Sequence, residues 1–116
     1  MIATGKTLLL AAALSTGALG AVQATFNRYF DAGCTTALGA VTVAEGFCVN
    51  VGNFPIQSWD AHVASGACED ASTSPVIKFY TDSGCEAGQI GDFAIETEAQ
   101  CVAQEVTVQS VTLVCE

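Results

Sequence analysis

The stretch Arg28-Tyr29-Phe30-Asp31-Ala32-Gly33-Cys34 has a second version later in the chain, Phe79-Tyr80-Thr81-Asp82-Ser83-Gly84-Cys85. Both versions keep an aromatic residue, an aspartate, a glycine and a cysteine at the same spacing. An aspartate can accept hydrogen bonds from the backbone two residues on, and glycine can adopt a positive φ, so each stretch predicts a tight turn. Two equivalent turns in so short a chain indicate an internal repeat.

The repeat continues beyond the turns. Cys48-Val49 matches Cys101-Val102, and Cys68 matches Cys115. The polar stretch between the copies contains a proline and suits a surface connector. We therefore predict one domain over residues 25–116, with repeat one at 26–68, the connector at 69–75 and repeat two at 76–116.

Each copy has the periodicity of β-strands. In the second copy, Ile77 and Phe79 alternate with polar or amphipathic residues, and Val106 and Val108 do the same. The stretch Glu105–Cys115 is rich in β-branched residues, which favour strands. The pattern predicts an all-β domain with half-buried strands.

The N-terminal residues 1–24 resemble a secretory signal peptide. Lys6 supplies the positive charge, Leu8–Leu14 is the apolar segment, and Val22-Gln23-Ala24 places small residues before a cleavage site. The apolar run is too short and too interrupted for a membrane anchor, which needs about 20 apolar residues. We expect cleavage before Thr25 and a secreted, extracellular protein.

The charge balance excludes several classes of partner. The chain of 116 residues has a net charge of −9. Without residues 1–24, two bases, Arg28 and Lys78, stand against 12 acids, a net charge of −10. Nucleic acids and anionic membranes attract clustered basic residues, so neither is an expected partner.

The six cysteines predict three disulfides, because their number is even and they follow a signal peptide. They are Cys34, Cys48, Cys68, Cys85, Cys101 and Cys115. Their spacing lacks the short knuckles of a zinc site. We favour Cys34–Cys48, Cys85–Cys101 and Cys68–Cys115, which respects the duplication and closes short loops first. Other pairings that respect the duplication remain open.

The hairpin residues of both copies resemble the Greek-key motifs of βγ-crystallins. In that family, an aromatic strand leads into a tight hairpin, and a later serine ties the hairpin down. Phe79–Gly88 and Ser110 are similar to these parts in the second copy, and Tyr29, Asp31, Gly33 and Ser58 are similar to them in the first. The resemblance implies a βγ-crystallin-like Greek-key sandwich of two repeated motifs, here with three disulfides. The whole pattern also resembles small secreted cysteine-rich fungal proteins, many of which are candidate effectors.

Microbial members of the crystallin family often bind calcium through paired Asn/Asp residues and a later Ser/Thr-Ser. The matching windows here, Asn53–Ser58 and Glu105–Ser110, keep one oxygen ligand at the start and the final serine. Calcium takes six to eight oxygen ligands, so we expect no metal and no cofactor.

The sequence also argues against catalysis. His62 is the one histidine of the chain. The sequence around it does not support a Ser/His/Asp or Cys/His catalytic arrangement. Adjacent or alternating acids such as Glu96 and Glu98 are typical of a solvated face. Phe54 and Trp59 have no aromatic counterparts in the second copy, so they are our candidates for a recognition surface. Trp59 has an alternative role as filler between the copies.

These observations favour a secreted, non-catalytic binding protein. We expect it to be effector-like, acting outside the cell as a monomer on an extracellular protein or wall component of a host or competitor. A killer-toxin-like antimicrobial protein and a hydrolase inhibitor are the alternatives. The stretch Gly52–Pro55 is the nominated inhibitory loop.

Overall fold

The computed structural model describes residues 21–52 and 54–116. These residues form eight β-strands and no helix. In chain order the strands are β1 (Gln23–Tyr29), β2 (Ala37–Ala44), β3 (Cys48–Asn50), β4 (Pro55–Ser65), β5 (Pro75–Tyr80), β6 (Gln89–Ala94), β7 (Val102–Thr107) and β8 (Ser110–Cys115). The predicted all-β class is confirmed.

The strands form two sheets of four, and all six pairings between strands are antiparallel. The strand order is β2-β1-β4-β7 in the first sheet and β3-β8-β5-β6 in the second. Each sheet takes three strands from one copy and one from the other. Strand β3 leaves the first copy to pair with β8, and β7 leaves the second copy to pair with β4. The two copies are therefore interlocked by an exchange of their third strands.

An aromatic cluster fills the space between the sheets. Phe26 and Trp59 come from the first sheet, and Phe79 and Phe93 come from the second. The ring centroids of Phe26 and Phe79 are 4.8 Å apart, and those of Trp59 and Phe79 are 4.7 Å apart. Tilted and edge-on ring pairs at this range stabilise a core beyond the area they bury. The alternating apolar residues of the sequence thus converge from both copies on one core.

The first strand begins before the expected cleavage site. Val22 and Ala24 are fully buried, and Ala24 pairs with Val43 on one side and with Val63 on the other. The boundary between residues 24 and 25 therefore falls inside β1. Residues 1–20, most of the predicted signal peptide, lie outside the described residues.

The disulfide pairing differs from the expected one at two of three bonds. Cys34 is bonded to Cys101 and Cys48 to Cys85, so the expected bonds Cys34–Cys48 and Cys85–Cys101 are wrong. The expected bond between Cys68 and Cys115 is present.

Strand exchange explains the difference. Cys48 opens β3, which lies in the second sheet beside β8, so its neighbour is the hairpin of the second copy. Cys101 immediately precedes β7, which lies in the first sheet beside β4, so its neighbour is the hairpin of the first copy. The observed pattern still respects the duplication, because exchanging the copies turns each of these bonds into the other.

Candidate binding surfaces

Each hairpin is tied to the sheet by a buried serine. Ser58 Oγ accepts a hydrogen bond from Cys34 N at 3.0 Å and donates to the carbonyl oxygen of Asp31. Ser110 Oγ accepts from Cys85 N at 3.0 Å and donates to Asp82 O at 2.6 Å. Both serines are fully buried. The contact expected of the two serines is therefore present in both copies.

The two hairpin cysteines share an uncommon backbone conformation. Cys34 and Cys85 both have a φ of 57°, in the left-handed region that side chains rarely adopt. The serine bond to each cysteine N–H and the disulfide from each Sγ fix this conformation from both sides. The turns are thus rigid parts of the scaffold.

Replacing Ser58 by alanine is expected to lower the free energy of unfolding by about 1–3 kcal/mol, because the part-buried N–H of Cys34 and carbonyl of Asp31 lose their partner. Ser110→Ala should cost a similar amount. Urea denaturation measures both losses. Ser83→Ala, which changes an exposed hairpin serine, is the matched control and should stay within about 0.5 kcal/mol of the parent. Equal stability of all three variants would contradict this role.

The Asp31 carboxylate organises the first hairpin. It accepts hydrogen bonds from the Thr35 hydroxyl at 2.6 Å and from the backbone N–H groups of Thr36 (2.7 Å), Thr35 and Gly33 (both 3.0 Å). These bonds, the Thr35 hydroxyl first, hold the pKa of Asp31 well below its usual range. Its oxygens are occupied by protein donors. Among the described residues, the equivalent carboxylate of Asp82 has no such set of donors.

Asp31→Asn is expected to lower the melting temperature at neutral pH. The folded-state pKa lies below the unfolded value of about 3.9. The stabilisation is therefore complete above the unfolded value and is lost as the pH falls toward the folded value. The gap in melting temperature between parent and variant should narrow below about pH 4. Asp82→Asn is the control with a small expected effect, and a gap that stays constant down to pH 2 would contradict the assignment.

The segments 53–58 and 105–110, which were compared with calcium-binding motifs, contribute side chains to structural contacts. Gln57 Nε2 donates to Glu105 Oε2 at 3.3 Å, which joins the windows across β4 and β7. Their final serines hold the hairpins, as described above. Asn53, which opens the first window, lies outside the described residues. Within residues 21–52 and 54–116, no group of three or more His, Cys, Asp or Glu side chains is arranged to hold a metal ion.

The two candidate recognition residues have different environments. Trp59 is only 3% exposed and packs against the core rings, so its expected place on a surface is wrong, and the alternative role as filler between the copies is confirmed. Phe54 is 61% exposed. The sequence reading missed two further exposed rings, Phe30 and Phe47. Both residues follow strands that contain alternating apolar residues. The sequence around them therefore does not predict that their rings are exposed rather than buried in the core.

The outward face of the first sheet carries a polar network around Asp60. Asp60 Oδ1 accepts from Asn27 Nδ2 at 2.6 Å, and Oδ2 accepts from Tyr29 Oη at 2.8 Å. Burial, this hydrogen bond and the charges of Asp60 and Asp31 raise the pKa of Tyr29 to about 12. Both oxygens of Asp60 are therefore engaged. The buried Nδ1 of His62 has no hydrogen-bond partner among the described residues.

The two basic residues in the described part of the chain, Lys78 and Arg28, are both engaged in contacts within the protein. Lys78 Nζ lies 2.6 Å from Glu116 Oε2 in an ion pair. Arg28 Nη1 donates to Val51 O at 2.8 Å, and burial lowers the pKa of its guanidinium. A basic surface patch cannot be assembled from two separately engaged side chains.

A cavity of about 160 Å³ opens between the two sheets at their edge strands, β7 of the first sheet and β6 of the second. Its walls are Trp59 and Ala61 of β4, Phe93 and Ala94 of β6, Val102 of β7, and the following side chains of the loop between β6 and β7: Ile95, Glu96, Glu98 and Gln100. The rings of Trp59 and Phe93 meet edge to face at 4.8 Å. Acidic and aromatic groups thus share one concave site.

Comparison with protein-family models, curated proteins and solved structures finds no match to this chain.

Among the described residues, no helix is long and apolar enough to span a membrane.

Proposed function

We propose that this chain is a secreted, disulfide-linked binding protein without catalytic activity, acting outside the cell on a host or competitor molecule. The observation that carries the proposal is the set of three disulfides. They join positions 67, 37 and 47 residues apart within one small domain, and no described cysteine is free. Such bonds persist in oxidising compartments and are compatible with an extracellular protein.

The architecture we propose is a pair of βγ-crystallin-like Greek keys. In the first copy, β4 returns to lie beside β1, as the fourth strand of a Greek key does. In the second copy, β8 returns beside β5 in the same way. The serine contacts to both hairpins agree with the resemblance of the sequence. The likeness supports a rigid scaffold that carries surface loops.

A role without catalysis is supported by how the reactive groups are used. Ser58 and Ser110 are buried and bonded to the backbone, so neither is an accessible nucleophile. Asp60 is engaged with Asn27 and Tyr29, so it is not available to orient His62 as the acid of a triad would. The acidic charge and the engaged bases weigh against the killer-toxin alternative, which would act at anionic membranes or walls.

The inhibitor alternative has one observation in its favour. Phe54 is exposed on a loop whose N-terminal side is braced, because Val51 N donates to Gln109 O at 2.9 Å and Val51 O accepts from Arg28. Loops that are held in place before binding lose less conformational entropy when they bind. Inhibition of secreted proteases or glycosidases by the parent protein, lost in Phe54→Ala, would select this alternative over effector-like binding.

Secretion from a eukaryotic host, followed by intact mass measurement, tests the proposed function. We expect a cleaved product in the medium that is six hydrogens lighter than its reduced form. We also expect the product to retain Val22 and Ala24, because both are fully buried in the core. Small residues at Ala18 and Gly20 fit the cleavage pattern upstream of that point. Retention of the chain in the cell, or free thiols in the product, would overturn the proposal.

A further inference from the structure

The cavity between β6 and β7 is large enough for a small organic group. A single water needs only about 10–15 Å³ of such space, and this cavity offers about 160 Å³. It is lined by side chains from both sheets and from the loop that connects them. A ligand there would contact both copies of the repeat at once.

The walls of the cavity are held in place before any ligand arrives. Trp59 Nε1 donates to Gln104 Oε1 at 3.0 Å, which fixes the indole ring. The loop is anchored at one end, where Glu96 O accepts from Val63 N at 2.7 Å. At its other end, Cys101 is bonded to Cys34. A site with fixed walls loses little conformational entropy on binding.

The chemistry of the walls points to one class of ligand. The half-buried ring of Phe93 provides most of the aromatic surface, and the edge of the almost fully buried Trp59 lies behind it. The exposed Glu96 and Glu98 add negative charge to the lining. The described lining contains no lysine or arginine. A cation carried on an apolar body is attracted by aromatic rings and by carboxylates together. We propose that this cavity binds a small alkylammonium ligand, with its methyl or methylene groups on Trp59 and Phe93 and its charge between Glu96 and Glu98.

Other ligand classes fit less well. An anion would face two carboxylates and no base. A bare divalent cation would need six or more oxygen ligands, whereas six of the nine lining residues are aromatic or aliphatic. A neutral apolar group would gain nothing from the acidic rim. The net charge of −9 also attracts cations to the whole molecule.

Titration with choline and with its neutral isostere 3,3-dimethyl-1-butanol tests the proposal on the intact, oxidised protein. Trp59 is the one tryptophan of the chain, so its fluorescence and its indole N–H resonance report directly on the cavity. We expect a saturable change with choline, a change at least fivefold weaker with the isostere, and weaker choline binding at high salt. Equal binding of the two ligands, or no change with either, would overturn the proposal.

Variants separate the cavity from general attraction to an acidic protein. Changing Glu96 and Glu98 together to glutamine should weaken choline binding about fivefold, and Phe93→Leu should weaken it about two- to fivefold. Glu86→Gln removes one exposed acid that does not line the cavity and should leave binding unchanged. Melting curves confirm that each variant is folded. Equal binding by the parent and the double variant would overturn the assignment of the acids.

The proposed ligand rests on the proposed function, since it names a ligand class for the same binding scaffold. The two fail in different ways. Protein that is secreted with three disulfides but does not bind choline would overturn the ligand alone. Protein that is retained in the cell or reduced would overturn the proposed function. Breakdown of choline during the titration, measured by mass spectrometry, would show catalysis and would also overturn the proposed function.

Discussion

Replacing Cys34 and Cys101 together by serine is expected to lower the free energy of unfolding by about 4 kcal/mol. The disulfide closes a loop of 67 residues, so breaking it frees a large part of the unfolded chain. For a domain of this size, the loss corresponds to a fall in melting temperature on the order of 20 °C. Urea denaturation and calorimetry of the purified variant measure the two quantities.

The duplicated bond provides the matched comparison. Cys48→Ser with Cys85→Ser opens a loop of 37 residues, and loop entropy grows only with the logarithm of length, so the loss should be about 0.5 kcal/mol smaller. Full reduction breaks all three disulfides. The same loop-entropy relation gives a combined loss of about 12 kcal/mol in the free energy of unfolding. A loss of this size approaches the whole stability of a typical domain. We expect the reduced chain to be unfolded. A peptide map without reduction that joined Cys34 to Cys48 would contradict the pairing.

The pairing shows where sequence reasoning stops. The duplication limits the connectivities, and the observed one obeys that limit, but loop length favours bonds within a copy. Which bonds form depends on the sheet that each third strand joins. Strand β3 has only three residues, Cys48–Asn50. So short a strand has no local sequence pattern that predicts which sheet it joins. Exchange of strands is decided by packing between the copies.

The same limit explains a break in the last predicted strand. The alternation of Val106, Val108 and Ser110 continues without interruption, as expected of one strand. The chain instead leaves the first sheet after Thr107 and enters the second at Ser110. Val108 stays buried at the crossing, where Gln109 N donates to Tyr80 O. Val108 and Ser110 are buried on either side of the crossing, and the alternation shifts only at Val111, which is also fully buried. The change of sheet is therefore not visible in the alternation of Val106, Val108 and Ser110.

Trp59 illustrates a change of phase within a strand. The pairing of β4 with β7 shifts between Ile56 and Ser58, and the two consecutive residues Ser58 and Trp59 are both buried. Strict alternation would place one of them outside. The cavity was equally hidden, because its walls come from β4, β6, β7 and one loop. The hairpins, by contrast, depend on local turn chemistry and on a serine at a fixed place in each copy, and the sequence was sufficient for them.

Phe79→Ala is expected to destabilise the domain by about 3–5 kcal/mol, because it empties the centre of the core. The Phe79 ring is 1% exposed and packs on Phe26, Trp59 and Phe93, so it joins the two sheets. The surrounding strands are fixed by two disulfides near the hairpins and cannot close fully around the void. Thermal melting of the oxidised protein, together with Trp59 fluorescence, measures the loss and the loosening of the indole.

Phe47→Ala makes the same chemical deletion at a ring that is 65% exposed. Its backbone carbonyl still accepts the bond from Thr112 Oγ1, so the variant should stay within about 0.5 kcal/mol of the parent. The difference between the two variants then measures what burial between the copies contributes. Comparable losses at Phe79 and Phe47 would mean that the aromatic cluster does not hold the sheets together, and the disulfides would have to account for the stability alone.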